Sequence, residues 1–200
     1  MSQFWYSEET GINLANLSRE LAAEILLKET TLKLESNRKA VIVCLSCPSV
    51  FKALLAVERD SPLAVKVDAF VFEFDKRFEV FGEKFIYYDY NSPKTLPETL
   101  LGQADVILID PPFLNRDTLE GFATTVALLQ RSNETKVLLC TGAVMLKHAK
   151  DLLHMRPTRA KVTHAQNRLS NPFTLYVNFE VKEDHPFLQG IDIEAEAYIH

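Results

Sequence analysis

The sequence predicts an α/β protein built on a mostly parallel, doubly wound sheet, and three observations carry that prediction. Short apolar runs at Ala40 to Leu45, Val67 to Glu73, Val106 to Ile109 and Lys136 to Cys140 alternate with helix-periodic segments, the order of strands joined by crossover helices. Carboxylates stand at the ends of the runs, at Glu73, Asp89 and Asp110, where open parallel sheets bind ligands. Two late runs, Val162 to Ala165 and Phe173 to Phe179, can pair as an antiparallel terminal hairpin across Asn167 to Pro172.

The elements follow in order. Ser7-Glu8-Glu9 is a helix start, since the hydroxyl caps free N–H groups and the acids complement the positive helix end. Leu14, Leu17, Leu21 and Ile25 then recur at helical spacing to about Lys28, and a polar linker runs from Glu29 to Lys39. After the first strand, Pro48 suits the first position of a helix capped by Ser46 or Cys47, with Val50, Phe51, Leu54 and Leu55 facing inward. The second strand, 67–73, leads through Asp75-Lys76-Arg77-Phe78 into a short helix; Phe85 to Tyr88 is the third strand, and Pro93 to Leu101 a loop with a helical turn. The fourth strand ends at Asp110; Asp117 to Arg131 is helical, Lys136 to Cys140 the fifth strand, and Ala143 to Leu153 another helix. Residues 1–39 thus read as an aromatic leader, helix and linker, 40–182 as the α/β domain, and 183–200 as an acidic tail, loosely held or docked locally.

Composition narrows the function. With 200 residues and 47% hydrophobic content, the chain suits one domain with a sizeable core. It has no long apolar run and no basic-then-apolar leader, so neither a membrane span nor a secretory signal is expected. The odd count of cysteines, Cys44, Cys47 and Cys140, suggests reduced thiols and a cytosolic protein. Cys44 and Cys47 form a C-x-x-C, but Cys44 lies inside an apolar strand and no histidine cluster joins them, so a core role outweighs a metal or redox one. A net charge of −5 argues against stable nucleic-acid binding, which draws on a basic face. Two loose basic groups, Lys33 with Arg38 and Lys39, and Arg156 with Arg159, Lys161 and Arg168, read as solvated surface or, for the second, a basic edge.

The chemistry centres on Asp110-Pro111-Pro112-Phe113. Neither proline has an N–H to donate, so the Asp110 and Pro111 carbonyls leave the sheet ladder free to join the Asp110 carboxylate as acceptors. Residues before proline stay extended, which lets these acceptors converge on one amine and aim its lone pair, with Phe113 as a flat wall. A stiff turn without chemistry is the plainer alternative. Three positions suit a nucleoside cofactor: Glu73 can accept from both ribose hydroxyls, Phe74 can pack on a base, and Asp89, beside Tyr90, can accept from an exocyclic amine. Glu73 can equally be an ordinary strand-end acid and Asp89 a turn cap. Ser46-Cys47-Pro48-Ser49 stands where a glycine-rich turn is usual, so serine hydroxyls or the helix amino end must take its place.

These pieces resemble one family. Gln3-Phe4-Trp5-Tyr6-Ser7, Cys47-Pro48-Ser49-Val50, Phe72-Glu73-Phe74-Asp75-Lys76-Arg77-Phe78, Tyr87-Tyr88-Asp89-Tyr90-Asn91, Asp110-Pro111-Pro112-Phe113, Leu139-Cys140-Thr141-Gly142-Ala143 and Tyr176-Val177-Asn178 are similar to segments of the eukaryotic elongation factor 1A lysine methyltransferases, formerly labelled N6-adenine DNA methyltransferases. The likeness spans roughly residues 3 to 180. It implies a seven-stranded Rossmann-like methyltransferase fold, S-adenosylmethionine as cofactor, and a lysine of elongation factor 1A as cytoplasmic substrate. For that cofactor, the strand-end positions Ser46, Cys47, Glu73, Phe74, Asp89 and Tyr90 are the candidates to hold it and Asp110 to Phe113 to carry the catalysis, with Asp110 orienting the amine and stabilising developing charge rather than acting as a strong base. A lysine must first lose a proton, at a cost of about 4–5 kcal/mol at pH 7, and aromatic walls reduce that cost by desolvation. Trp5, Tyr6 and Phe113 are candidates for such walls, the first two also for a hydrophobic lid. Adenine N6 in DNA or RNA is the alternative acceptor, and would require base flipping.

Overall fold

A computed structural model describes residues 5–32, 38–60, 66–165 and 172–197. Lys33, Arg168, the Gln3-Phe4 part of the leader and 167–171 of the expected hairpin connection lie outside the described residues.

Seven strands form one sheet in the order β3-β2-β1-β4-β5-β7-β6. They are β1 (Ala40–Leu45), β2 (Val67–Glu73), β3 (Phe85–Tyr87), β4 (Val106–Ile109), β5 (Lys136–Gly142), β6 (Arg156–Pro157) and β7 (Phe173–Val177). The first five run parallel, and β7 pairs antiparallel with both β5 and β6. Because β1 and β4 are covered on both faces, they read as unbroken apolar runs rather than alternating ones.

One face packs on α1 (Glu8–Thr31) and α2 (Pro48–Asp60): Ile42, Cys44, Val71 and Leu108 meet Leu14, Leu17 and Leu21 of the first helix and Val50, Phe51 and Leu54 of the second. The opposite face packs on α3 (Arg116–Leu129) and α4 (Leu146–Leu153), where Val43, Leu45, Ile107 and Ile109 meet Leu119, Phe122, Val126 and Leu129. Ser7 caps α1 by accepting from the Thr10 N–H, and the helix runs three residues past Lys28. Leu55 departs from expectation: it is exposed, because the inward stripe of α2 is taken by Val50, Phe51 and Leu54.

The hairpin is also corrected. Residues 162–165 are not a strand of the sheet; β7 takes Arg156–Pro157 as its partner, and Pro157 is tolerated because β6 is an edge. His164 pairs instead with Tyr6 of the leader, where Ser7, Thr10 and Thr163 exchange side-chain hydrogen bonds. The acidic tail is docked: Leu188 and Ile191 are buried, Ile191 bridges Thr158, and the short α5 (Ile193–Ala197) brings Glu196 to Arg156 at 2.8 Å. Arg159 pairs with Glu183 at 2.8 Å, so these two arginines belong to an ion-paired surface rather than a basic edge.

At the amino ends of the central strands lies Asp105, its side chain 1% exposed. Its carboxylate accepts from Arg38 at 2.7 and 2.9 Å, from Arg131 at 3.1 Å and from the Val41 N–H at 2.8 Å. Arg38 also donates to Glu29 at 2.6 Å, tying the end of α1 to the sheet. Breaking a buried pair on one side strands the remaining charge. We therefore expect Asp105→Ala to lower stability by about 3 kcal/mol, read as a shift of the urea midpoint with unchanged slope; a change under about 0.5 kcal/mol would show that water replaces the carboxylate at no cost.

Candidate active site

The carboxyl ends of β1, β2, β4 and β5 meet around Asp110. Its N–H still donates to the Leu45 carbonyl at 3.1 Å, and the two prolines then end the ladder. Pro111 is buried, whereas Pro112 and Phe113 turn outward. The Phe113 ring meets Tyr90 edge-on at 6.3 Å, and Tyr90 stacks on Phe122 at 6.0 Å. Gly121 permits this: a Cβ there would lie 2.4 Å from the Tyr90 carbonyl oxygen. A glycine inside a helix costs about 1 kcal/mol relative to alanine, a cost that this close approach explains.

The leader supplies the other wall. Ser7 N–H donates to the Thr163 carbonyl and Ala165 N–H to the Trp5 carbonyl, both at 2.9 Å, so residues 5–7 lie antiparallel to 163–165. The Tyr6 ring faces His164 at 4.9 Å and is buried with Cys44, Cys47, Cys140 and Leu108. Its hydroxyl makes no hydrogen bond of ordinary geometry among the described residues, although Asp110 and Cys140 are near enough to act on it electrostatically. Trp5 goes elsewhere: half-buried, it lies 6.3 Å from Phe78 with the Lys52 ammonium 5.0 Å above its ring.

Burial dominates the electrostatics. Residue 110 is half-buried, and the burial of its carboxyl among neighbouring groups pushes its pKa up to about 7; the Tyr6 hydroxyl opposes the rise and the Glu73 charge adds to it. The same burial raises the Tyr6 phenol and the Cys47 and Cys140 thiols well above their ordinary values. Thiols held protonated are poor nucleophiles and poor metal ligands. No group of three metal-ligating side chains occurs among the described residues.

The remaining candidates line the same rim. Ser46 has φ 55°, the left-handed turn that a glycine would usually supply, and its N–H donates to the Phe72 carbonyl at 2.8 Å. The Cys47 carbonyl accepts from Phe51 N–H and so opens α2. Glu73 is 6% exposed, with Oε1 accepting from the Asp75 N–H at 3.1 Å; such burial is unusual for a plain strand-end acid. Phe74 and Tyr87, both 46% exposed, form a tilted aromatic pair at 5.5 Å. Asp89 caps the next turn, Oδ1 accepting from both the N–H and the side-chain amide of Asn91 at 2.9 Å. A shallow groove of about 660 Å³ borders the site through Tyr90 and Phe113 along α3, and contains neither Asp110 nor Glu73. Sequence reasoning missed the Ser46 conformation and the Tyr6 hydroxyl beside Asp110; neither leaves a local signal.

Comparison with known proteins shows the family to which the chain belongs. Residues 1–181 match a family described as "Probable N6-adenine methyltransferase". The zebrafish (Danio rerio) EEF1A lysine methyltransferase 1 is 41% identical over 181 residues, covering 90% of this chain and 97% of the relative. The Homo sapiens protein of the same name is 38% identical over 181 residues, with 90% and 74% covered. A Caenorhabditis elegans protein-lysine N-methyltransferase is 39% identical over 181 residues, with 90% and 77% covered.

Two outcomes follow. Gly121→Ala forces α3 and the Tyr90 backbone apart, and we expect a loss of about 1–3 kcal/mol together with altered near-UV circular dichroism from Tyr90; an unchanged melt would show that the helix shifts freely. For Asp110 the folded pKa lies above the unfolded one, so the folded state holds the extra proton and stability falls as pH rises from about 4 through about 7. Asp110→Asn should remove that slope and melt higher than the parent at pH 8; equal pH dependence would show that the carboxyl is not enclosed.

Proposed function

Because the chain belongs to the elongation factor 1A lysine methyltransferase family, we propose that it transfers a methyl group from S-adenosylmethionine to a lysine side chain of translation elongation factor 1A, in the cytoplasm. The observation that carries the reading is the enclosed carboxyl of Asp110 at the end of β4, on the same face of the sheet as the buried carboxylate of Glu73.

The residues present suit S-adenosylmethionine. Glu73 is a buried acceptor placed for ribose hydroxyls, the Phe74–Tyr87 pair offers an aromatic face for adenine, Asp89 keeps Oδ2 for its amino group, and the Ser46–Cys47 turn leaves the end of β1 open to close approach. When bound, the cofactor supplies an electrophilic methyl on a sulfonium.

The chain's own work is on the lysine. The Asp110 carboxylate and Pro111 carbonyl take N–H bonds and aim the lone pair, Phe113 covers the aliphatic stem, and Tyr6 excludes water. An ordinary carboxylate would accept the ammonium proton at a cost of roughly 9 kcal/mol; with its pKa at about 7, Asp110 reduces this to roughly 5 kcal/mol. That equals the cost of releasing the proton to water at pH 7, so Asp110 can relay the proton but its orienting role carries the catalysis. The family description favours an adenine acceptor, but the acidic chain, net −5, lacks the positive field that duplex binding requires.

The reading is tested by incubating the purified protein with methyl-labelled cofactor and recombinant elongation factor 1A, or with DNA or RNA. We expect label on a single protein lysine; label confined to nucleic acid overturns the proposal. Asp110→Ala should reduce transfer by about a hundredfold or more with calorimetric cofactor affinity nearly unchanged. Glu73→Ala should weaken cofactor binding by about tenfold or more, and an unaltered titration would remove it from the site.

A further inference from the structure

We propose that Tyr6 is a further catalytic residue: its hydroxyl, brought beside Asp110 by the leader, accepts an N–H hydrogen bond from the acceptor lysine and donates its own proton to the Asp110 carboxylate. The proposal rests on the lysine methyltransferase reading and adds to it a polar contact that no aromatic wall would supply.

Three observations converge. Tyr6 is 5% exposed and its Oη, though beside Asp110, makes no hydrogen bond of ordinary geometry among the described residues, whereas buried tyrosine hydroxyls normally do. A phenylalanine would fill the same core position but would leave the Asp110 carboxyl without the hydroxyl that acts on it. Second, the backbone that carries it is pinned. The Ser7 hydroxyl lies 2.6 Å from that of Thr163, Thr163 N–H donates to Thr10 Oγ1 at 3.1 Å, and the Tyr6 ring is held against His164, which in turn meets Phe173 edge-on at 4.6 Å. The hydroxyl is thus placed before substrate arrives.

Third, the amine's hydrogen-bond inventory requires it. A neutral lysine nitrogen has two N–H donors and one lone pair, and the lone pair must stay free for the methyl. The Asp110–Pro111 acceptors lie on one side of the nitrogen; a hydroxyl from the leader gives the second N–H a partner on another. When the substrate arrives as an ammonium, its third proton passes to Asp110, with the N–H bond breaking and a carboxyl O–H forming. The phenol then keeps one donor and one acceptor in use throughout.

The groups that face Asp110 are Tyr6 from the leader, Glu73 from β2, Cys47 beyond β1 and Cys140 from β5, with His164 behind the Tyr6 ring. Among the described residues, only Tyr6 offers a hydroxyl that favours the ionised carboxylate. Tyr6→Phe is therefore compared with the parent enzyme for transfer to elongation factor 1A across pH 6–9, for cofactor binding by calorimetry and for melting temperature. We expect kcat to fall about tenfold or more, the acid limb of the pH–rate profile to move upward, and cofactor affinity and melting temperature to stay unchanged. Wild-type kcat with an unshifted limb overturns the assignment, as does a loss of kcat matched by losses in cofactor affinity or melting temperature. A parent enzyme that transfers nothing to elongation factor 1A overturns the underlying functional reading as well, so the two failures are distinct.

Discussion

A carboxyl group enclosed at the end of the central strand is the constraint around which this molecule is organised. Burying Asp110 disfavours its charged form. The fold accepts that cost because β4 is sheathed on both faces and its two prolines cannot extend the ladder, leaving the acid at a blunt end with aromatic neighbours. Whatever cation comes there finds an acceptor whose charge is poorly solvated, and electrostatic attraction is stronger in such a place than in water. Glu73, Ser46 and Tyr6 gain their importance from sharing that end of the sheet.

The opposite end of the same strand solves the reverse problem. Asp105 is more deeply buried than Asp110, yet Arg38, Arg131 and the Val41 amide satisfy its oxygens. Two acids thus bracket the four apolar residues of β4, one held by two arginines and a backbone amide and fixing the architecture, the other with, among the described residues, no cation beside it and only the Tyr6 hydroxyl favouring its charge. The contrast follows from hydrogen bonding rather than from depth.

Much of this was legible in the sequence because the signals are local. Apolar runs of four to seven residues ending in Glu73 or Asp110 mark strands and their reactive ends without any tertiary knowledge, and Ser7 before two glutamates marks the start of α1. What escaped depends on distant partners. Val162 to Ala165 has the composition of a strand, but Thr163 finds Ser7 and Thr10, and β7 finds Arg156–Pro157, a pair too short and too polar to be read as a strand. Ser46 gives no hint that it takes the left-handed turn, since its strain is met by the Phe72 carbonyl on another strand. The aromatic leader was visible as a feature, but not the division by which Tyr6 turns toward Asp110 and Trp5 toward Lys52.

The leader's anchorage has a temporal meaning. Ser7 and Thr163 are separated by 156 positions, so the wall that Tyr6 forms is among the last long-range contacts the chain can make during synthesis. A nascent chain holding all five parallel strands, through β5, still lacks it. The chamber closes only once the segment after β6 has emerged and been caught by the amino terminus, so an incomplete polypeptide cannot carry a finished site.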